Sequence, residues 1–396
     1  MKKMTIRDVA VTGKKILMRV DFNVSLYEDG TIRSDSRIKA ALPTITYLLE
    51  QGALVTLTSH LGRPKGKVDE TARLDKVADR LGELLGKPIT YLKEAIGPVV
   101  EEAVARQKPG EVILLENIRF YPGEEANDPE FAKQLAKPFE LYVQDAFGTA
   151  HRAHASTEGV AHVLPAYAGF LMEKEIDFLS KATTDPARPY VAILGGAKVK
   201  DKIGVIDNLL QVCDKLIIGG GMAFTFFKAK GWEIGHSILD AENIDQAGEF
   251  MKLAEERGIE LLLPVDTVIA QEMKPGVPTK VVDSDQIPAD WEGFDIGPTS
   301  IEVFKEAMRG AKTVCWNGPV GVFEIPEFAK GTKAIAEALA ELPEAVTIVG
   351  GGETATAVKE MGVASKISHV STGGGASLEF LEGIELPGVA ALKDAE

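Results

Sequence analysis

Residues 189–210 read PYVAILGGAKVKDKIGVIDNLL. The run Val191–Leu194 has no polar alternation, which suits a strand buried on both faces. It runs directly into Gly195-Gly196-Ala197-Lys198, and a periodic segment follows. Glycine lets the backbone approach a ligand and adopt positive φ. The N-terminus of a following helix offers free N–H groups and partial positive charge, so the pattern makes an anion site. The same grammar recurs at Ile218-Gly219-Gly220-Gly221, at Val349-Gly350-Gly351-Gly352-Glu353-Thr354 and at Ser371-Thr372-Gly373-Gly374-Gly375. One such turn is equally well explained by tight strand-to-helix packing. Several in one half of the chain point to a ligand that carries phosphate, bound at the carboxyl edge of a parallel sheet.

Working outward, further strand-like runs are Ile16–Val20, Leu54–Thr58, Val112–Leu115, Leu141–Val143, Leu216–Ile218, Leu261–Leu263, Thr313–Trp316, Val346–Val349 and His369–Ser371. Helical periodicity separates them, as at Leu74–Leu85, Ile244–Arg257 and Lys330–Leu342. Alternation of this kind predicts an α/β fold with helices covering parallel sheets. At 396 residues the chain is long enough for two domains. The boundary is expected near Pro165–Phe170, before a helix over 169–181 with Leu171, Ile176 and Leu179 on its apolar side. A loop with Pro186 and Pro189 follows, as expected of an interdomain connector. One more helix of a continuous sheet is the alternative.

The apolar fraction of 45% and charged fraction of 26% are those of a soluble globular protein. A net charge of −15 argues against nucleic acid, which needs a basic face. Cys213 and Cys315 have no metal-site spacing and make no disulfide scaffold. The stretch Met1–Asp8 has no apolar run, and no segment approaches the roughly 20 apolar residues of a membrane span. A cytoplasmic protein with no membrane partner is expected.

No G-x-x-x-x-G-K-[ST] is present, so a P-loop is excluded. A loose G-x-G-x-x-A at Gly350, Gly352 and Ala355 keeps a dinucleotide-binding reading open. Lys198 and Lys202 would share a face if a helix starts there, either as a phosphate clamp or as solvated side chains. The first half carries basic residues at strand ends instead of glycine turns. Asp21, Asn23 and Arg37 follow the first strand, Ser59-His60-Leu61-Gly62-Arg63-Pro64 the second, Arg119 the third, and His151-Arg152 the fourth. In a parallel sheet these converge on one edge, where arginine forks suit phosphate and carboxylate. His60 and His151 read as ligand donors or structural residues, and His154, His162, His236 and His369 as structural.

The stretches RVDFNVSL (19–26), SHLGRPKG (59–66), ENIRFYPGEE (116–125), DAFGTAHRAHAS (145–156), GGAKVKDKI (195–203), GGGMAFTF (219–226), DIGP (295–298), WNGPVGVFE (316–324), VGGGETA (349–355) and STGGGASLE (371–379) together resemble the phosphoglycerate kinases. They run in family order over nearly the whole chain. The resemblance implies two similar-sized αβα domains with parallel sheets joined by an interdomain helix. A 3-phosphoglycerate domain would span 1–168 with a returning tail from about 380. A nucleotide domain would span 169–379 and begin with the connector. It implies a monomer that moves a phosphoryl group between 1,3-bisphosphoglycerate and ADP, giving 3-phosphoglycerate and ATP with Mg²⁺. Asp21, Asn23, Arg37, His60, Arg63, Arg119 and Arg152 match the 3-phosphoglycerate site, Arg37 lying nearest the reacting carboxyl. Lys198 would meet the transferring phosphoryl group and Lys202 the nucleotide phosphates. Gly297 would lie by the nucleoside and Glu324 on the ribose. Asn317 and Gly351, Gly352, Glu353 and Thr354 would hold phosphates and metal. Gly373 and Gly374 would offer N–H groups to the moving phosphoryl.

The chain departs from the family pattern at Glu353, where an aspartate that ligates Mg²⁺ is usual, and in minor ways at Ser25 and Lys200. A carboxylate acceptor is ionised at neutral pH, so the reaction needs no general base. Ligands on both halves are expected to drive closure about residues 165–190. A dinucleotide-dependent dehydrogenase and a non-catalytic binding protein for a phosphorylated metabolite are the rival readings.

Overall fold

The first apolar run forms β1 (Lys15–Arg19), the centre of a parallel sheet whose other strands are β2 (Leu54–Thr58), β3 (Ile89–Tyr91), β4 (Val112–Leu114), β5 (Leu141–Gln144) and β6 (Ala166–Ala168). The order across this sheet is β3-β4-β2-β1-β5-β6, and every pairing is parallel. The computed structural model describes residues 2–395. Ile16, Met18, Val55, Leu57, Val112, Leu114 and Val143 form the inner core with the helices Ser36–Glu50 and Asp75–Leu85. Strands β3 and β6 were not expected from the sequence. Both have three residues, and β3 is only half-buried, so neither carries a sustained apolar run.

A second sheet comprises β7 (Tyr190–Leu194), β8 (Lys215–Ile218), β9 (Glu260–Leu262), β13 (Thr313–Asn317), β14 (Val346–Gly350) and β15 (His369–Val370). It runs β15-β14-β13-β7-β8-β9, again all parallel. Counted in chain order from the β9 edge, these strands run 3-2-1-4-5-6, the order of the dinucleotide-binding fold. One feature departs from the expectation of parallel sheets alone. Strands β10 (Asp266–Ala270), β11 (Lys280–Asp283) and β12 (Glu292–Ile296) form an antiparallel sheet ordered β11-β10-β12. Strand β11 is almost wholly exposed, so it lacks the apolar run that marked the parallel strands.

Contacts divide the chain into a unit up to Asp177 that also includes the chain from Glu385, and a unit Phe178–Ile384. The sequence placed the divisions at 168/169 and 379/380. The connector helix, Phe170–Thr183, therefore carries the first division within it. Its buried apolar residues are Met172, Ile176, Leu179 and Ala182, whereas Leu171 is only half-buried. The returning tail is stitched into the first unit by backbone bonds from Gly388 to Ala150 (2.8 Å), Lys393 to Ala166 (3.1 Å) and Met4 to Lys393 (2.8 Å). Among the described residues no helix is long and apolar enough to cross a membrane.

Candidate active site

In the first unit the side on which strands are added reverses between β1 and β5, and ligands of open α/β sheets bind at such switch points. The turn after β1 carries Asp21 and Asn23. Asp21 accepts a short hydrogen bond from Arg37 and another, at 3.1 Å, from the Asn23 N–H. Asn23 Oδ1 accepts from Gly62 N–H at 2.8 Å, and Arg119 donates to the Gly62 carbonyl at 2.9 Å. The turns after β1, β2 and β4 are thus laced together. His60 is 3% exposed. Burial holds its imidazole well below the usual histidine range, and the guanidiniums of Arg19, Arg119, Arg37 and Arg152 push in the same direction. Arg119 is also lowered, first by burial and then by Arg19, and its Nε is a buried donor with no hydrogen-bond partner, its nearest carboxylate being Glu125 at 3.9 Å. Like charges held together with an unused donor are what an incoming anion relieves. Arg152 is half-buried and reaches His151 at 3.3 Å, whereas Arg63 is exposed.

In the second unit the strand order reverses between β7 and β13, and the turns after these two strands are interlocked. Gly195 N–H donates to the Asn317 carbonyl at 3.0 Å, and a Cβ at Gly195 would overlap the carbonyl oxygen of Pro319. Only glycine permits that approach. The expectation that Lys198 and Lys202 share a helical face is not met. Lys198 has extended backbone, a single 3₁₀ turn spans Val199–Asp201, and Lys202 is the N-cap of the helix Ile203–Leu209. The glycine turn and the 3₁₀ turn spend the residues an α-turn would need. Lys202 donates a short hydrogen bond to Asn317 Oδ1, leaving Asn317 Nδ2 a buried donor without a partner. Burial lowers the Lys202 ammonium to about 8, against the opposing pull of Glu353, Asp201 and Glu382.

The helices Gly352–Glu360 and Gly374–Leu381 begin side by side, with a Cβ on Gly374 falling 3.5 Å from Gly352 N. Gly373 N–H bonds Ser371 Oγ at 3.2 Å and Gly351 N–H bonds Ser377 Oγ at 3.4 Å. The next N–H groups inward are those a helix leaves to an outside acceptor. Thr354 is fully buried and its hydroxyl accepts from Gly318 N–H at 2.7 Å, so its side chain braces the Asn317 turn. A cavity of about 440 Å³ lies against these turns, lined by Gly196, Gly220, Phe224, Phe294, Glu324 and Glu353 among others. Gly297 is not in its wall although Ile296 is. A Cβ at Gly297 would overlap Asp266, which caps the next helix through Thr299 (3.0 Å) and Ser300 (2.7 Å).

A family model described as phosphoglycerate kinase matches residues 6–384. The chain belongs to the phosphoglycerate kinase family. It is 58% identical over 389 residues to a phosphoglycerate kinase of Dictyoglomus turgidum, covering 98% of both chains. It is 57% identical over 394 residues to one of Pelotomaculum thermopropionicum, covering 100% of both. Among solved structures, phosphoglycerate kinase from Coxiella burnetii aligns with a TM-score of 0.91 at 41% identity over 98% of each chain. That from Pyrococcus horikoshii aligns at 0.83 and 34%, again over 98% of each. As a phosphoglycerate kinase family member the chain is a glycolytic phosphotransferase acting between 1,3-bisphosphoglycerate and ADP. The dehydrogenase and binding-protein readings have no support. The G-x-G-x-x-A match lies after β14, away from the first strand of its sheet where a dinucleotide fingerprint sits.

Sequence reading missed the buried layer beneath the first-unit site. Arg19, Ser156 and Glu124 are each fully buried and joined by hydrogen bonds. The available signal was a charge inside an apolar strand, in Ile16-Leu17-Met18-Arg19-Val20. It also missed the aromatic wall of the cavity, Phe224, Phe227 and Phe294, which comes from segments far apart in sequence.

Proposed function

We propose that the second unit binds ADP or ATP with the nucleoside in the cavity between Phe224 and Phe294, the ribose toward Glu324, and the phosphates toward Lys202, Asn317 and the N–H groups of Gly352, Glu353 and Thr354. The observation that carries this is an apolar cavity that reaches Glu353 in the first turn of the Gly352–Glu360 helix, against whose start the Gly374–Leu381 helix start packs, with Asn317 Nδ2 a buried donor without a hydrogen-bond partner. Gly351 and Gly297 act here as backbone spacers. The first unit takes 3-phosphoglycerate on Asp21, Asn23, Arg37, His60, Arg63, Arg119 and Arg152. The crowding of positive charge around His60 supports that reading.

Among the described residues there is no cluster of three or more His, Cys, Asp or Glu side chains suited to a metal. A resident ion is therefore not part of the reading. A Mg²⁺ carried on nucleotide phosphates needs only one or two protein carboxylates. Glu353, in the first turn of its helix and close enough to act on the Lys202 charge, fits that need. When bound, the ion neutralises phosphate oxygens. The chain's own residues do the rest. Arg37 orients the ionised carboxylate acceptor. Lys198 meets the equatorial oxygens of the phosphoryl group, where negative charge spreads in the transition state. Gly374 N–H, with Gly373 beside it at the helix start, faces the same charge. Because the two ligand sets belong to separate units, transfer requires ligand-driven closure, which also keeps water from the acyl phosphate. We place this activity in a cytoplasmic monomer. A coupled assay with ATP, Mg²⁺ and 3-phosphoglycerate tests the assignment, and absence of ADP formation under those conditions overturns it.

A further inference from the structure

Beneath the first-unit site runs a chain of buried hydrogen bonds whose polarity is set by chemistry. Glu124 is fully buried, and its oxygens accept from Ser156 N–H (2.9 Å) and Ser156 O–H (2.6 Å). A serine hydroxyl has one proton to give. Ser156 Oγ must therefore accept at its other contact, the Arg19 Nε–H at 2.8 Å. Arg19 is itself fully buried and donates to the Val20 carbonyl through Nη1. Its Nη2 lies 3.1 Å from His60 Nδ1. A guanidinium carries donors only and does not lose its proton in proteins. Nδ1 of His60 must then be the acceptor.

We propose that Arg19, held by Ser156 and Glu124, is a positioning residue that fixes His60 as the neutral tautomer with its proton on Nε2, so that His60 serves the substrate as a hydrogen-bond donor. This rests on the placement of His60 in the 3-phosphoglycerate site. The tautomer is counterintuitive for an anion site, where a charged imidazolium is the simpler donor. Arg19, in contact with His60, and Arg119, Arg37 and Arg152, close enough to act on its charge, already supply the positive field. A fifth cation would add repulsion in a buried place. The neutral ring keeps one directed N–H without that cost. Glu124 is the buried counter-charge to Arg19, two hydrogen bonds away through Ser156.

The test is ¹⁵N-edited NMR of the imidazole nitrogens in the full-length, ligand-free enzyme between pH 6 and 8. His60, assigned with a His60→Gln variant, is expected to show a proton on Nε2, an unprotonated Nδ1, and no titration in that range. A proton on Nδ1, or on both nitrogens, overturns the proposal, and this is read on the wild-type chain with the variant serving only the assignment. In Arg19→Met the Nε2–H preference is expected to be lost and His60 to titrate within the range. Unchanged His60 signals in that variant overturn Arg19 as the cause. Kinetics give an independent arm. His60→Asn, whose amide falls short of the Nε2 position, is expected to raise the KM for 3-phosphoglycerate about 10- to 100-fold more than His60→Gln, whose amide nitrogen reproduces an Nε2 donor, the scale of one hydrogen bond to a charged group. The reverse order overturns donation through Nε2. If the tautomer is as stated but 3-phosphoglycerate leaves the His60 signals unmoved, the site placement fails, and with it His60's service as the substrate's donor, while the tautomer stands.

Discussion

In the proposed assignment the two units solve the same problem, holding an anion at the switch point of a parallel sheet, with different materials. The first uses side chains. Its proposed anion surface is Arg37, Arg119, Arg152 and His60, presented by turns laced through Asp21 and Asn23. The second uses backbone. Its proposed anion surface is two helix starts packed against each other and glycine turns that interlock, with Lys202 and Asn317 beside them. The difference follows from what each must grip. Small multiply charged ligands need directional forks from several sides. A nucleotide has an apolar end, and the cavity of the second unit brings Phe224, Phe227 and Phe294 into one wall with glycine-turn residues. A side-chain site fails when a side chain is removed, whereas a backbone site fails when a side chain is added.

That contrast can be broken at four points. Lys198→Ala removes the proposed transition-state donor from the backbone-rich unit and is expected to lower kcat by roughly 10²–10³-fold. Steady-state kinetics at saturating substrates check this, and wild-type turnover would remove Lys198 from the mechanism. Next in size, Arg119→Met removes a buried fork and is expected to raise the KM for 3-phosphoglycerate by about 10- to 100-fold while leaving that for ATP within about twofold. Equal changes in both would mean the units do not divide the ligands as proposed. Gly195→Ala pushes a methyl group into the Pro319 carbonyl, and is expected to cost about 1–3 kcal/mol of stability, read from the denaturant midpoint. Its KM for ATP should rise and that for 3-phosphoglycerate should not.

The smallest effect concerns a feature the units share. Asp145 in the first and Asp295 in the second are both pushed up to about 7, chiefly by burial. Asp145 accepts from Leu171 and Met172 at the start of the connector helix, at 2.9 and 3.1 Å. Asp295 accepts from Ile296 and Gly331, at 2.9 and 2.8 Å. A carboxyl raised in the folded state holds its proton there after the unfolded chain has released it. Its contribution to stability therefore falls as pH rises from about 4 to about 7. Asp145→Asn and Asp295→Asn should each flatten that decline by no more than about 1.4 kcal/mol per pH unit. Melting curves across the range read the slope, and a steeper decline in either variant contradicts the sign.

Much of this molecule was legible without coordinates, and unevenly so. Parallel strands buried on both faces write themselves as apolar runs, so β1, β2, β7, β8, β13 and β14 were visible within a residue or so. Strands β3, β6 and β11 are short or exposed, and β10 and β12 open on or are interrupted by polar residues (Asp266 and Thr267; Glu292 and Asp295), so none leaves such a mark. The glycine turns and strand-end arginines were visible because their chemistry is local: a missing Cβ or a charge after a strand. Tertiary structure alone decided what those residues do to one another. It set Lys198 and Lys202 on a turn instead of a helix face, committed the Thr354 hydroxyl to Gly318, and assembled the cavity wall from Phe224 and Phe294. It also placed Arg19 against His60 across 41 residues of sequence. Composition and spacing determine which groups are present at a sheet's edge. Which donor meets which acceptor depends on strand order, and strand order is a property of the packed sheet.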